Sequence, residues 1–406
     1  MLDFFDMASV CLYFHVHQPY RIKKYRHMSI GHDSVYFNDE SSTSLDNKEI
    51  IKKVAKKCYI PATTTLINLL EKHPEFKVSF SITGVLMEQL SMWSPESLDL
   101  FKKAVKSKRV EIVSETYYHS LAFLYNKDEF VSQVNLHSKL VKQIFGLKPK
   151  VFRNTELIYS DELAQFVEKM GYIGILAEGA DHILGWRSPN YIYKAAGTKN
   201  LALLLKNYRL SDDIAFRFSE RSWSEWPLTA PKFASWVNQV NGGGEIVNLF
   251  MDYETLGEHQ WEDTGIFEFL KSMPSDILSH PDNDFVTPSE AVKKFKKVSE
   301  ISVPHYISWA DMERDLTAWL GNPMQHDASH SLYSLYDQIV NTKDEDLLSV
   351  WRKMTTSDHF YYMCTKWFAD GDVHKYFSPY ESPYDAFRYF MNALTDLRIR
   401  VERDQK

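Results

Sequence analysis

The strongest constraint on the fold is a repeated alternation of short apolar runs with longer amphipathic segments. Each apolar run has the length of a buried strand, and each longer segment has the period of a helix. Strands that alternate with helices, at roughly 30–40 residues per unit, are parallel and joined by crossover helices. The predicted strands are Ser9–Phe14, Lys77–Ile82, Val110–Val113, Val151–Arg153, Ile173–Ala177, Ala202–Leu205, Ile246–Met251 and Asp284–Thr287.

These units predict an α/β fold with a (β/α)7-type barrel in residues 1–300, since about seven of them fit there. A doubly wound sheet is the alternative. It is less well supported because no glycine-rich phosphate loop follows the first strand. From residue 301 to 406 the pattern changes, which predicts a helical C-terminal domain. Its helices are predicted at Ser329–Val340, Asp344–Met363 and Pro383–Glu402.

Composition and charge exclude several classes of protein. The chain has 406 residues and a net charge of −7, and it lacks the basic runs that a nucleic-acid partner requires. Its three cysteines, Cys11, Cys58 and Cys364, form neither a disulfide framework nor a zinc motif. Met1–Asp6 carries acids where a signal peptide has bases, and no apolar run approaches the roughly 18 residues of a membrane span. We therefore expect a cytoplasmic protein with no membrane partner, and the oligomeric state stays open.

Two acids stand at the ends of separate predicted strands. Glu156 follows Val151–Arg153, and Asp252 follows Ile246–Met251. The C-terminal ends of parallel strands are where barrel enzymes place their chemistry. A carboxylate pair on either side of a glycosidic bond is sufficient to hydrolyse it. Arg153 is expected to keep Glu156 ionised, although such a pair is also a common structural salt bridge.

Histidines and aromatic residues supply further candidates. His15 and His17 follow the first strand, where they either line a cleft or contribute to a zinc site with His119 and other histidines. His119 lies beside two tyrosines and suits a hydrogen bond to a sugar hydroxyl. Because aromatic rings stack on sugars, Trp261 is the first candidate for stacking, on account of its place near Asp252. The other candidates are Trp223, Trp226, Trp309 and Trp319.

Five short motifs occur in a fixed order along nearly the whole chain. They are His15-Val16-His17-Gln18-Pro19, Tyr117-Tyr118-His119, Asn154-Thr155-Glu156, Asp252-x-Glu254-x-x-Gly257 and Thr356-Ser357-Asp358-His359. This order resembles the five sequence regions of glycoside hydrolase family 57. The Asn-Thr-Glu-Leu stretch and the segment Ser308-Trp309-Ala310-Asp311 are similar to the short α-amylase-like members.

The resemblance implies a seven-stranded barrel with a helical C-terminal domain, and a retaining enzyme for α-linked glucans without metal or cofactor. Glu156 then corresponds to the nucleophile and Asp252 to the general acid and base. His17, His119 and Asp358 correspond to substrate-binding positions, and we expect His15, Arg153 and Trp261 to join them. The chain departs from many family members, which have Trp-Leu-x-Glu at the nucleophile, so linkage and substrate length stay open.

Four functions remain in competition. The leading one is an α-glucan or maltooligosaccharide hydrolase. The second is a 4-α-glucanotransferase that uses the same site with a sugar as acceptor. The third is a catalytically weak glucan-binding protein. The fourth is a metal-dependent amidohydrolase or deacetylase that uses His15 and His17.

Overall fold

A computed structural model describes residues 8–37, 39–366 and 377–404. Strands in these residues match the predicted runs closely, with two short additions. The strands are β1 (Ser9–Val16), β2 (Val78–Ile82), β3 (Val110–Ile112), β4 (Val151–Arg153), β5 (Gly174–Glu178), β6 (Ile192–Ala195), β7 (Ala202–Lys206), β8 (Ile246–Asp252), β9 (Asp284–Phe285) and β10 (Glu300–Ile301). The prediction did not include β6 or β10, and it made β9 two residues too long.

The strands form two sheets that meet at both ends. One has the order β3–β2–β1–β8 with β9 beside β1, and the other has the order β10–β6–β7–β5–β4. A parallel bridge between Ser114 and Phe152 joins β3 to β4. At the other junction, Asn207 donates its backbone N–H to Asn248 O at 2.9 Å, which joins β7 to β8. Seven strands thus follow one another as β8–β1–β2–β3–β4–β5–β7, a (β/α)7-type arrangement with two weak junctions.

One strand departs from the predicted all-parallel pattern. β6 pairs antiparallel with β7, whereas the other strand pairs are parallel among the residues described. The two strands are close in sequence, so a short turn connects them and no crossover helix is needed. β6 lies outside the seven-strand succession and pairs with β10 on its other side.

The inside of the strand succession is a small apolar cluster. It takes Cys11 and Tyr13 from β1, Val151 from β4, Leu204 from β7 and Phe250 from β8. The alternate residues of β1 belong to a second cluster and pack against the outer helices. Because side chains alternate between the two faces of a strand, both faces are buried. This double burial explains why the strands are almost continuously apolar in sequence.

Helices cover the outside of the strands and make up most of the C-terminal part. They are α1 (Asn47–Val54), α2 (Ile60–Lys72), α3 (Gly84–Trp93), α4 (Pro95–Lys106), α5 (Ala122–Tyr125), α6 (Lys127–Phe145), α7 (Asp161–Lys169), α8 (Asp181–Leu184), α9 (Tyr208–Ala215), α10 (Ala230–Asn238), α11 (Ile266–Leu278), α12 (Pro288–Lys294), α13 (Thr317–Leu320), α14 (Pro323–Tyr333), α15 (Tyr336–Thr342), α16 (Glu345–Met354), α17 (Ser357–Tyr361) and α18 (Pro383–Asp404). None of the described helices combines the length and the hydropathy that a membrane crossing requires.

The C-terminal part is helical, but two of its predicted helices are interrupted. The segment predicted as one helix from Asp344 to Met363 is divided into α16 and α17, and Ser329–Val340 is likewise divided between α14 and α15. In the first case, the Thr356 hydroxyl donates to Tyr118 O at 2.8 Å. Threonine hydroxyls that bond to backbone compete with helix geometry. The break directs Ser357 toward the strand ends.

The C-terminal helices and the second sheet share one hydrophobic core. This cluster contains Phe152 and Leu203 from the sheet together with Trp351 and Phe390 from the helices. A buried ion pair lies in the same part of the molecule, where Arg352 Nε approaches Glu129 Oε1 at 2.8 Å. The shared core fixes the C-terminal residues relative to the strand ends.

Candidate active site

The strand period alone brings polar side chains together at one end of the strand succession. His15 follows Tyr13 by two residues, so it faces the same interior side of β1. By the same count, Asp252 follows Phe250 in β8 and Lys206 follows Leu204 in β7. The apolar interior therefore ends in a polar layer. That layer forms the floor of a cavity of about 850 Å³.

Glu156 lies just after β4 in a left-handed backbone conformation, with φ 58° and ψ 24°. Such a conformation is strained for a residue other than glycine and persists only where the surroundings enforce it. Here three donors hold the carboxylate. Glu156 Oε1 lies 3.1 Å from His119 Nε2 and 2.9 Å from Ser357 Oγ. Glu156 Oε2 lies 2.8 Å from Trp309 Nε1. The carboxylate is thus fixed in one orientation toward the cavity.

A buried carboxylate supports the histidine beside Glu156. Glu115 is fully buried, and its Oε2 lies 3.5 Å from His119 Nδ1 and 3.7 Å from Arg153 Nη1. Although burial opposes it, the neighbouring carboxylates of Glu115 and Glu156 raise the pKa of His119 to about 9. Burial also opposes ionisation of Glu156, but His119 and Arg153 hold its pKa below the ordinary value. Glu156 is therefore a carboxylate at neutral pH.

Asp252 has the opposite environment. Its carboxyl group makes no hydrogen bond to any other residue in the described part of the chain. Burial and the charge of Glu156 raise the pKa of Asp252 to about 6, with Arg153 acting in the other direction. Two carboxyl groups that share a cavity but ionise in different pH ranges are suited to different chemical roles.

Glu254, two residues after Asp252, also lines the cavity and is almost completely buried. Its Oε1 accepts a hydrogen bond from Tyr59 at 2.5 Å and one from the His17 backbone N–H at 3.3 Å. Burial and the charge of Asp252 raise the pKa of Glu254 to about 8. The motif ends at Gly257, where φ is 107° and a Cβ would overlap the carbonyl oxygen of Lys57. Only glycine fits this turn, which sets the backbone that follows the two acids.

His17 and Asp358 form a second polar pair on the cavity wall. His17 Nε2 lies 3.0 Å from Asp358 Oδ2, and its Nδ1 lies 2.9 Å from Thr83 Oγ1. Burial opposes ionisation of Asp358, but the charge of His17 holds its pKa below the ordinary value. Burial lowers the pKa of His15 well below its ordinary value, and its Nδ1 lies 3.0 Å from Ser81 Oγ.

The structure brings together most of the predicted site residues but leaves two apart. His15, His17, His119, Glu156, Asp252 and Asp358 all line the cavity. Arg153 is fully buried behind it and is not among the described lining residues; its guanidinium lies 5.0 Å from the Trp309 ring. Trp261 is also not among the described lining residues, and 56% of its surface is exposed. Lys57 Nζ lies 5.2 Å from the centre of its ring. Of the other tryptophan candidates, Trp309 and Trp319 reach the cavity.

Several site residues were not identified from the sequence. Glu254 and Ser357 belong to two of the five motifs but had no assigned role, and Glu115 lies outside those motifs. Ser357 contacts Glu156 across 201 positions of sequence, which no local pattern reveals. Lys206 lines the cavity as the last residue of β7, and a signal for it did exist. It is a charged residue that ends an apolar strand in the same way as Asp252.

Two groups of side chains have the donor atoms for a metal ion. Among the described residues, the potential ligand atoms lie within 4.8 Å of one another in each of two sets, His15 with Glu115 and His119, and His17 with His119 and Asp358. Histidine and carboxylate ligands are typical of zinc. In the first set, Arg153 Nη1 lies 3.4 Å from His119 Nδ1, so a cation already occupies that neighbourhood.

Comparisons with known proteins agree on one family. Residues 11–304 match the model described as glycosyl hydrolase family 57. A protein of Methanocaldococcus jannaschii named "Putative alpha-amylase" is 42% identical over 400 residues, which are 96% of this chain and 84% of that protein.

Two solved structures have the same fold at low sequence identity. A GH57 branching enzyme from Thermococcus kodakaraensis superimposes with a TM-score of 0.70 at 14% identity, covering 99% of this chain and 92% of that one. A 4-alpha-glucanotransferase from Thermococcus litoralis gives a TM-score of 0.67 at 15% identity, covering 87% of this chain and 56% of that one. The match of the family model and the close relative together decide the assignment: the chain belongs to glycosyl hydrolase family 57.

Proposed function

We propose that this protein is a retaining glycoside hydrolase that acts on α-linked glucans, with Glu156 as nucleophile and Asp252 as general acid and base. The observation that carries the proposal is the pair of carboxyl groups in one cavity that ionise in different pH ranges. The pKa of Glu156 is held below its ordinary value, and that of Asp252 is raised to about 6. Hydrolysis by a carboxyl pair needs one ionised and one protonated group at the start, and retention is what the resemblance to the family implies.

The reaction follows from this difference. Glu156 attacks the anomeric carbon while Asp252 gives its proton to the departing glycosidic oxygen, which forms a β-glycosyl ester on Glu156. Asp252, now ionised, takes a proton from water as the water oxygen attacks the same carbon. The ester bond breaks and the Glu156 carboxylate is restored. The three donors to Glu156 fix its orientation before substrate binds, which lowers the entropic cost of the attack.

The histidine side of the cavity is suited to the sugar that becomes attached to Glu156. His17, His119 and Asp358 present donors and acceptors within reach of that carboxylate, and sugar hydroxyls need both. Trp309, Ser357 and Asp358 come from the C-terminal part of the chain. We therefore propose that the site is built jointly by the barrel, residues 1–300, and a helical domain, residues 301–406.

Hydrolysis and sugar transfer share the first half of this mechanism. Relatives of this chain carry the names alpha-amylase and 4-alpha-glucanotransferase. The relative in M. jannaschii is matched over 84% of its length and carries an amylase name, which favours hydrolysis over transfer. Cys11 and Cys58 are buried thiols without a disulfide, which fits a protein of the reducing cytoplasm.

The products formed from maltooligosaccharides test the proposal. We expect shorter products from maltotetraose and longer oligosaccharides, and none from the Glu156→Gln variant. Longer products in large amount would favour the transferase, while binding without any product would favour the glucan-binding alternative. A chelator is expected to leave the rate unchanged. Loss of activity that returns with added zinc would favour the metal-dependent alternative and the two histidine-containing sets.

A further inference from the structure

The two catalytic candidates divide the strand ends into two unlike arcs. Going from β8 to β4 through β1, β2 and β3, the strand ends carry the histidine group His15, His17 and His119. Going the other way, through β7 and β5, the strands end in Lys206 and Glu178. The histidine arc surrounds Glu156, whereas Lys206 stands on the strand beside Asp252.

The second arc is a cluster of four charges, three of them buried and the fourth, Arg314, partly exposed. Lys206 Nζ lies 2.9 Å from Asp212 Oδ1 and 3.6 Å from Glu178 Oε2. Arg314 lies 3.6 Å from Asp212 and 3.8 Å from Glu178 through its two terminal nitrogens. Two cations and two anions thus balance one another. The exposed fraction is 0% for Glu178, 4% for Lys206 and 8% for Asp212.

Burying the charged groups of Glu178, Lys206 and Asp212 is costly, so the position of the cluster needs a reason. The desolvation of each ion is only partly offset by pairing, and apolar residues of similar volume usually serve packing as well or better. Lys206, Asp212 and Arg314 all line the cavity that contains Glu156 and Asp252, together with Tyr208. Lys206 makes one hydrogen bond among the described residues, to Asp212, so it has further N–H groups to donate into the cavity.

We propose that the cluster centred on Lys206 and Asp212 binds the hydroxyl groups of the leaving-group sugar and, in the reverse direction, of an acceptor sugar. Lys206 donates to a hydroxyl oxygen and Asp212 accepts from a hydroxyl proton, which matches a vicinal diol. The inference rests on the proposed function, because it takes Asp252 as the group that protonates the departing oxygen. Lys206 lies beside that group, so the departing sugar meets the cluster first.

The same subsite determines what happens to the glycosyl ester. A sugar held by Lys206 and Asp212 brings its hydroxyl oxygen to the anomeric carbon. That oxygen forms the new bond while the ester bond to Glu156 breaks, and its proton passes to Asp252. An empty subsite leaves the ester to water. The cluster therefore determines the share of transfer against hydrolysis.

The test compares two substrates that differ only on the leaving side. α-Maltosyl fluoride has a leaving group without hydroxyls, whereas maltotetraose places sugars over the cluster. In the double variant Lys206→Met/Glu178→Gln, one cation and one anion are removed together, so the buried charge stays balanced. We expect kcat/KM for maltotetraose to fall about tenfold or more, as for a lost charged hydrogen bond. Fluoride release should fall by a clearly smaller factor than maltotetraose cleavage, since its leaving group does not use the subsite.

Acceptor transfer gives a second readout. With α-maltosyl fluoride as donor and maltose as acceptor, the ratio of transfer to hydrolysis should fall by a similar factor in the double variant. Asp212→Asn, which keeps the side-chain shape, should lower the ratio too. The matched control is Arg352→Met/Glu129→Gln, which removes a buried ion pair whose residues are not among the described cavity lining. The control should lower the melting temperature but leave both ratios unchanged.

The outcomes separate the inference from the proposed function. A parallel fall of fluoride release and maltotetraose cleavage in the folded variants would overturn the subsite, as would no change in either. An equal shift of the ratios in the control would also overturn it. If the wild-type protein neither releases fluoride nor cleaves maltotetraose, the proposed function fails, and the subsite fails with it.

Discussion

Glu156 and Asp252 face one cavity from separate strand ends, yet the protein holds them in different ways. Glu156 has a strained left-handed backbone and three hydrogen-bond donors, one of them a histidine whose pKa is raised to about 9. Asp252 ends a regular strand, and its carboxyl group makes no hydrogen bond within the described residues. Donors favour the charged form of one acid, and their absence favours the neutral form of the other.

This difference shows how one cavity assigns two roles before substrate binds. Local rules oppose the Glu156 geometry, because a left-handed glutamate is costly, so tertiary contacts must stabilise it. Asp252 needs no such support, since strand alternation alone directs it inward. Glu156, the proposed nucleophile, is therefore positioned by contacts from the whole fold, whereas Asp252, the proposed acid, is positioned by one strand and desolvated by its surroundings.

Removing the nucleophile should have the largest effect. Glu156→Gln keeps the shape of the side chain but cannot form the ester, so turnover of maltooligosaccharides should fall by about four orders of magnitude or more. In Glu156→Gly, azide can enter the vacated space and attack from the same face. Its product should be a glycosyl azide of inverted configuration, identified by NMR. Near-normal turnover in Glu156→Gln would mean that this carboxylate is structural.

Removing the acid should cost less and should depend on the leaving group. Asp252→Asn should lower kcat/KM for maltotetraose by about 10²- to 10⁴-fold. Fluoride needs no proton to depart, so α-maltosyl fluoride should still form the ester, which would then accumulate because no base activates water. Intact mass spectrometry should detect the adduct on Glu156. If no adduct formed, or if both substrates lost activity equally, Asp252 would not be the acid and base.

The same contrast explains how much the sequence could predict. Strand ends are local features, so Glu156, Asp252 and His15 were all predicted at one cavity, and the seven main strands were found. Ser357 and Trp309 reach Glu156 from distant segments, and their contacts depend on how the helical part packs. The break between α16 and α17 depends on the hydrogen bond from Thr356 to Tyr118 O. The periodicity of the sequence within the helix cannot predict a contact with so distant a residue.

Sequence proximity was also misleading in places. Trp261 lies nine positions after Asp252, but the tight turn at Gly257 leads the chain away, and its ring is half exposed outside the described cavity lining. β6 was not predicted because only six residues separate it from β7, with no helix between them to mark a separate unit. Pairing with β7 stabilises β6, and the hydrophobic pattern of one segment cannot reveal such a pairing.

Weakening the support behind Glu156 should have an intermediate effect. Glu115→Gln removes the charge that helps to raise the pKa of His119, so His119 should become neutral at lower pH. His119 is still protonated in the pH range where Glu156 titrates, so the acidic limb of the kcat/KM profile should stay in place. NMR titration of the His119 imidazole should show its pKa lowered from about 9 in Glu115→Gln. Glu129→Gln, in another ion pair, is the control and should leave the pKa of His119 in place.

The smallest effect is expected at Glu254, which lies near Asp252 but should not influence its titration. Burial and Asp252 raise the pKa of Glu254 to about 8, so Glu254 is already protonated when Asp252 titrates at about 6. Asp252 must be protonated to act as the acid, so kcat/KM should fall as the pH rises through about 6. Glu254→Gln replaces one neutral group by another, and the Tyr59 hydroxyl keeps an oxygen acceptor. The basic limb should stay where it is, and the rate should change by less than about threefold.

In contrast to Glu254→Gln, the Glu156→Gln variant should shift the titration of Asp252, because it removes a charge that helps to raise the pKa of Asp252. NMR of protein with ¹³C-labelled aspartate should show the Asp252 carboxyl titrating below pH 6 in Glu156→Gln and near pH 6 in Glu254→Gln. A shift of one unit or more in Glu254→Gln would mean that the two motif acids share their protons and titrate as a coupled pair. The raised pKa of Asp252 would then depend on Glu254 as well as on burial and the charge of Glu156. The contrast between a strongly supported Glu156 and an isolated Asp252 would no longer hold.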